Sequence, residues 1–235
     1  RMRTFRYGIL PYVIILVVLA GLVGIEPHLS GAILVLGAGA VMMLVGGIHW
    51  GWVGGAIAAA GGLLYFVVFV LDYNRSRFEY WLNPWADAQG SGYQLSQSLL
   101  TIGSGGLLAV GLGKSRHTLL YLPEEHNDFI FAIVCEELGL IGATVIMLLF
   151  AALILRGFWI ALHARDRFGS LMVVGVVTLV GLQTFLNIGV VTGLLPTTGI
   201  SLPFFSYGGT ALSIQLAEMG IVLSVSRQMK PTKAG

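Results

Sequence analysis

Charge is what this chain has least of. Asp, Glu, Lys and Arg make up 10% of its 235 residues, and none of them occurs between Arg167 and Glu218. That argues against a soluble all-helical protein, whose surface needs more charged residues than this. The single cysteine, Cys135, excludes an internal disulfide, and no Cys/His set has zinc-ligand spacing. The glycine pairs starting at 46, 54, 61 and 105 lack the strand, the Lys-Ser/Thr and the βαβ context of a nucleotide-binding loop. No nucleophile elbow supports a Ser/His/Asp hydrolase. A net charge of +2 gives no reason to invoke nucleic acid.

Apolar sequence is what the chain has in abundance: 56% of residues are hydrophobic, and 33 glycines exceed what soluble helices tolerate. Crossing roughly 30 Å of hydrocarbon takes about 20 apolar residues in a helix. Six windows qualify: 7–25, 30–48, 50–71, 129–155, 169–195 and 207–226. The expected fold is an all-α polytopic membrane protein with six transmembrane helices. Lys and Arg orient it, because Arg1, Arg3 and Arg6 precede the first window, Arg156, Arg165 and Arg167 separate the fourth and fifth, and Arg227, Lys230 and Lys233 follow the sixth. By the positive-inside rule that side, with both ends of the chain, is cytoplasmic. Gly47, Gly51, Gly55 and Ala59 have the spacing of a close helix-packing face in lipid. The chain starts at Arg1 directly before a membrane helix and is expected to be part of a longer protein.

The orientation places the long loop 72–128 outside. Its Arg75, Arg77, Lys114 and Arg116 do not oppose this, since long loops cross largely regardless of charge. Trp81 and Trp85 suit the headgroup level. Residues 98–112 are apolar but too short to span and are interrupted by Gly103, Gly105, Gly106 and Gly111. They read as a re-entrant or interfacial piece packed on the bundle, or as a surface loop with an exposed apolar patch.

Two constellations on the outer side carry polar chemistry. In YLPEEHNDFIFAIVCEELGLIG, residues 121–142, Glu124, Glu125, His126 and Asp128 stand at the edge of an apolar run, with Glu136 and Glu137 further along the predicted helix. A carboxylate at a membrane boundary is costly without a partner, water or a task. Asp128 suits helix capping, and it equally suits a general base acting on an alcohol nucleophile. The second is LLPTTGISLPFFSYGGT, residues 194–210, whose prolines end helices and whose Thr197, Thr198, Ser201, Ser206 and Tyr207 supply hydroxyls. Non-helical backbone at this depth must be buried in protein or line a wet cavity, so the segment is either a structural loop or a substrate-facing wall. Gln183 and Asn187, four residues apart, share a helical face suited to interhelical hydrogen bonds. Glu218 in the sixth window must be protonated, paired or watered. His28 and Glu26 stand at an outer turn.

Together these motifs, in this order and joined by GSGYQLSQSLLTIGSGGLLAVGLGKS, resemble the SEDS family of cell-wall polymerases, the family of FtsW, RodA and SpoVE. GLGKSR followed by YLPE, and LLPTTG, are nearer its FtsW and SpoVE branch. The resemblance implies a ten-span fold of which these six are the last. It also implies a peptidoglycan glycosyltransferase that polymerises lipid II at the outer face of the bacterial cytoplasmic membrane. The family's catalytic aspartate, in its (H)TDFIF motif, maps onto Asp128, with Asn127 in place of the usual Thr. His126, Glu137, Gln183, Asn187, Ser206 and Tyr207 are the expected substrate contacts. Lys114, Arg116 or a divalent cation (Mg or Mn) would meet the leaving diphosphate. No fixed protein metal site and no organic cofactor is expected. Where the family usually has QPDLG this chain has EPHLSG, so His28 stands in place of a second carboxylate. Partners implied are a class B penicillin-binding protein and other divisome proteins, and membrane lipids. A lipid-linked precursor transporter and a scaffold activating a transpeptidase are the competing readings.

Overall fold

The computed structural model of the chain describes residues 5–25, 29–49, 51–52, 54–55, 58, 61–62, 75–90, 92–107, 109, 111 and 128–229. Every regular element among them is helical. A π-helical turn, Phe5–Ile9, leads into α1 (Leu10–Ile25), followed by α2 (Leu29–Val45), α3 (Arg75–Leu82), a 3₁₀ turn (Pro84–Asp87), α4 (Tyr93–Gly105), α5 (Ile130–Leu162), α6 (Arg167–Val191) and α7 (Gly209–Arg227). α5, α6 and α7 are long and apolar enough to cross a membrane, and α1 and α2 are shorter apolar helices of 16 and 17 residues. The predicted span 50–71 lies largely outside the described residues.

The helix limits shift from those expected for local reasons. α2 stops at Val45 because Gly47 turns the chain with φ +96°. α5 runs past Arg156 to Leu162, since the Arg156 guanidinium folds 4.1 Å over the Trp159 ring and the charge need not end the helix. α6 starts early, at Arg167, because Asp166 Oδ2 accepts the Gly169 N–H at 3.1 Å and caps the first turn.

The described residues group into two compact units. The first comprises 1–56, 150–182 and 209–235. Its core is Ile160, Ala161, Val173, Val174, Val177 and Val222, with Met42 and Phe158 packed against it. Close approach in this unit occurs at, among others, Gly157, where a Cβ would strike Val177, and Gly175, where one would meet Met42 Sδ at 2.9 Å. Of the packing face expected at Gly47, Gly51, Gly55 and Ala59, Gly47 serves a turn, a Cβ on Gly51 would meet the His49 ring at 3.2 Å, Gly55 has nothing within 4 Å among the described residues, and Ala59 lies outside them. Glu218 is half-buried on α7. Ile14, Ile15, Val17 and Val18 of α1 are exposed, the surface a bilayer would cover.

The second unit comprises 57–149 and 183–208. α4 includes 98–105, the first part of the apolar segment 98–112 that sequence left open between a packed and an exposed piece. It is packed, with Leu95, Ser96, Ser98, Thr101 and Gly105 buried along one face. The hydroxyls cost little there because each is bonded: Ser98 donates to the Val191 carbonyl at 2.8 Å, Thr101 to Gln97 at 2.8 Å. α5 breaks at Gly139, where φ is 65° and ψ −174°. The N–H of Leu140, released by the break, donates to the Gly106 carbonyl at the end of α4 (3.0 Å). The break divides α5 into two parts of different character. Residues 130–138 are largely buried in protein, whereas 140–149 are mostly exposed. The part after the break, 140–162, is by itself long enough to cross about 30 Å of hydrocarbon at roughly 1.5 Å per residue.

Candidate functional site

Residues 128–142 and 194–208 of the two polar constellations belong to the second unit, and the structure brings Asp128 and the 194–208 loop together. Asp128 stands one residue ahead of the N-cap position of α5, which Phe129 holds. Phe129, Phe131 and Ala132 are all but fully buried and pin the start of the helix, while Asp128 is only half-buried. Apolar anchors thus hold a partly solvated carboxylate. Its Oδ2 lies 3.4 Å from where a Cβ on Gly199 would be, so the carboxylate faces Gly199, with room there for a methyl in ordinary contact but not for a large side chain.

The loop owes its shape to buried anchors and one strained residue. α6 ends under two side-chain donors, Ser98 Oγ on the Val191 carbonyl and Trp81 Nε1 on the Gly193 carbonyl, each at 2.8 Å. Leu202 and Pro203 are buried, and Ser206 Oγ accepts the Leu202 N–H at 2.7 Å. Between them Phe204 adopts φ 65°, a left-handed conformation costing a non-glycine residue about 1–2 kcal/mol. Neighbouring anchors over-determine the turn and hold it.

Asn187 joins the two constellations. Only 1% of its surface is exposed, and its Nδ2 donates to the Asp128 carbonyl and to the Ile200 carbonyl, both at 2.7 Å. Both partners are carbonyls, so the amide nitrogen must face them. With both hydrogens committed to protein, only Oδ1 remains for any other contact, and Oδ1 is buried without a partner, as is Thr198 Oγ1. Each such orphan costs about 1–3 kcal/mol unless a water or ligand group meets it.

The other expected contacts fall as follows. Gln183 is half-buried on α6, one turn before Asn187. Ser206 is half-buried and occupied in the loop turn, and the Tyr207 side chain is 84% exposed. Glu137 is half-buried, and its neighbour Glu136, at 1% exposure, is the fully enclosed carboxylate of the pair. Lys114, Arg116, His126 and His28 lie outside the described residues, as do Glu124 and Glu125. Among the described residues no group of three or more His, Cys, Asp or Glu side chains is gathered to hold a metal ion. The bonds that Ser98 and Trp81 make to the end of α6 were not legible in the sequence. Both bond to backbone more than 90 positions away, which no local pattern announces.

Comparison with known proteins gives this geometry its context. The chain is 44% identical over 233 residues to FtsW of Geobacter metallireducens, a probable peptidoglycan glycosyltransferase, covering 99% of this chain and 62% of that protein. It is 45% identical over 229 residues to stage V sporulation protein E of Bacillus subtilis, covering 95% of this chain and 61% of that protein. It thus spans about three-fifths of the length of these curated relatives. A solved peptidoglycan synthase complex, described as coordinating polymerization and crosslinking, contains a chain that superimposes with a TM-score of 0.78 at 29% identity, over 98% of this chain and 64% of that one. Such a neighbour, together with the three long apolar helices, makes this a multi-pass membrane protein. The model of the FtsW, RodA and SpoVE family, described as cell cycle proteins, matches residues 1–231, and the chain belongs to that family.

Proposed function

We propose that this chain is the last six spans of a ten-span peptidoglycan glycosyltransferase that polymerises lipid II at the outer face of the bacterial cytoplasmic membrane, during division or sporulation. The observation that carries the reading is the Asp128 carboxylate, half-buried, pinned by apolar neighbours and turned to the glycine of a polar loop. The names of the relatives support the reaction class. Asp128 accepts the proton of the acceptor sugar's 4-hydroxyl as that oxygen bonds to the donor's anomeric carbon. The bond from that carbon to the lipid diphosphate breaks, and the diphosphate leaves with the electron pair. One displacement inverts the anomeric carbon, with no covalent enzyme intermediate. Lys114 and Arg116 are assigned to the departing diphosphate, and His126, Glu137, Gln183, Ser206 and Tyr207 to substrate binding.

The distribution of Lys and Arg puts both ends of the chain in the cytoplasm. A class B penicillin-binding protein is the proposed partner, in keeping with the solved synthase complex. Polymerisation of purified lipid II by the full-length protein, read as glycan strands on a gel, tests the reading. Asp128→Asn is expected to lower the rate by about 10²–10⁴, the usual worth of a positioned base. Wild-type polymerisation by Asp128→Asn sinks the general base. A wild-type protein that translocates lipid II across vesicles without polymerising it is a transporter instead. One that only raises the activity of a transpeptidase is a scaffold.

A further inference from the structure

We propose that Asn187 is a positioning residue for Asp128, holding the carboxylate's own peptide and the peptide next to Gly199 with a single amide nitrogen. The proposal rests on the reading of Asp128 as general base. Residues 128 and 200 are far apart in sequence, yet their carbonyls converge on Asn187 Nδ2 at 2.7 Å each. The carboxylate of Asp128 meets Gly199, the residue just before Ile200. The acidic group is therefore located twice, through its own carbonyl and through the loop it faces, and both constraints end on one side chain.

That side chain is well placed to act as the reference. Asn187 lies one turn before the end of α6, where Ser98 Oγ holds the Val191 carbonyl. Few residue types can replace it. A hydroxyl has one hydrogen to give and a carboxylate has none; glutamine has two on a longer arm. Asn187 also retains a buried, unpartnered Oδ1, a feature an apolar residue of the same size would remove. Packing alone is better served by leucine, so the two N–H donors are what the position requires. A general base must lie within about 2.6–3.2 Å of the proton it takes, and a misplacement of about 1 Å can cost roughly 10²-fold in rate.

The experiment compares Asn187→Leu, Asn187→Asp and Asn187→Gln with Asp128→Asn and Asp128→Ala in the full-length protein, measuring melting temperature and lipid II polymerisation kinetics. Asn187→Leu is expected to lower kcat about 10–100-fold with KM for lipid II changed less than about 3-fold, because substrate still binds but the base is displaced. Asn187→Asp, equal in size but without either hydrogen, loses at least as much, and Asn187→Gln recovers part of the loss. In the Asp128→Ala background Asn187→Leu costs nothing further, since its effect runs through the carboxylate. If Asp128→Asn is inactive while a stably folded Asn187→Leu keeps wild-type kcat, the positioning role is refuted and the general base stands. If Asp128→Asn is fully active, the base assignment fails and the positioning role with it. Should Asn187→Leu melt early, Asn187→Thr replaces it. With one donor left, an intermediate loss of kcat supports the role, and wild-type kcat overturns it.

Discussion

Replacing Gly139 by alanine should uncouple α4 from α5, and three neighbouring glycines let the size of the effect be worked out term by term. At Gly106, φ 57° and ψ −153° put the backbone in a region that is essentially glycine-only, but a Cβ there would meet nothing within 4 Å. Gly106→Ala therefore isolates the conformational term, about 1–3 kcal/mol. Gly105 is helical and carries no such strain, but its Cβ would strike the Cys135 carbonyl and stand 2.8 Å from Glu136 Cα. Gly105→Ala isolates the steric term, about 1–3 kcal/mol less roughly 1 kcal/mol of improved helix propensity. Gly139 combines both, with φ 65° and ψ −174°, and a Cβ that would lie 2.6 Å from Ala109 N and 2.9 Å from Leu107 O.

The sum for Gly139→Ala is about 2–6 kcal/mol. The chain could escape by straightening α5 into one continuous helix, which alanine favours by roughly 1 kcal/mol. That escape withdraws the Leu140 N–H from the Gly106 carbonyl and rotates residues 128–138 relative to the helix that follows. Either way Asp128 leaves its place, so polymerisation should fall along with stability. Thermal melting of the purified protein should drop by about 5 °C or more. Hydrogen exchange at the Leu140 amide should accelerate, and glycan synthesis should fall at least tenfold, the order a misplaced base implies. Gly103→Ala is the control, since its added Cβ meets nothing within 4 Å among the described residues. A Gly139→Ala protein that melts within about 1 °C of Gly103→Ala, with Leu140 exchange unchanged, would refute the reasoning.

Further outcomes follow from single contacts. Gly199→Ala brings a methyl to 3.4 Å from Asp128 Oδ2, ordinary contact, and should leave polymerisation within about 3-fold of wild type, whereas Gly199→Leu must displace the carboxylate and should cost about 10²-fold; equal activity of the two would show that the carboxylate does not work from this place. Ser98→Ala removes the donor to the Val191 carbonyl in a fully buried setting and should destabilise by about 1–3 kcal/mol, read by thermal melting against Ser104→Ala, whose exposed hydroxyl bonds only within its own helix. Trp81→Phe deletes the N–H that meets Gly193 while keeping most of the ring; a loss of about 1 kcal/mol is expected, and faster exchange in the 194–208 loop would mark it as an anchor of that loop.

Much of the class of this protein was legible because a hydrocarbon layer imposes a length and a polarity that composition reports directly. The order of the motifs was legible too, and Asp128 stood out as a carboxylate at the edge of an apolar run. The faces of the helices were not. In water a helix shows its core side by alternation, but in lipid the side facing tails and the side facing protein are both apolar, so periodicity goes flat. Hence α4 could be read as packed or exposed until Ser98 was found on Val191. For the same reason close packing at Gly157 and Gly175 had no signal in the sequence, and Gly47, expected on a packing face, serves a turn.

The amino-acid sequence by itself determined that this is an apolar, all-helical membrane chain with polar segments between its apolar runs and an aspartate at the edge of one of them, because those properties follow from local composition and from motif order. Only the tertiary structure decided that Gly139 divides α5 into a buried part and a lipid-facing part, and that one amide on α6 holds Asp128 to the loop of Gly199. A carbonyl has no residue identity to read in a sequence. Which carbonyl an asparagine meets is settled only when segments 59 and 13 positions away are folded against it.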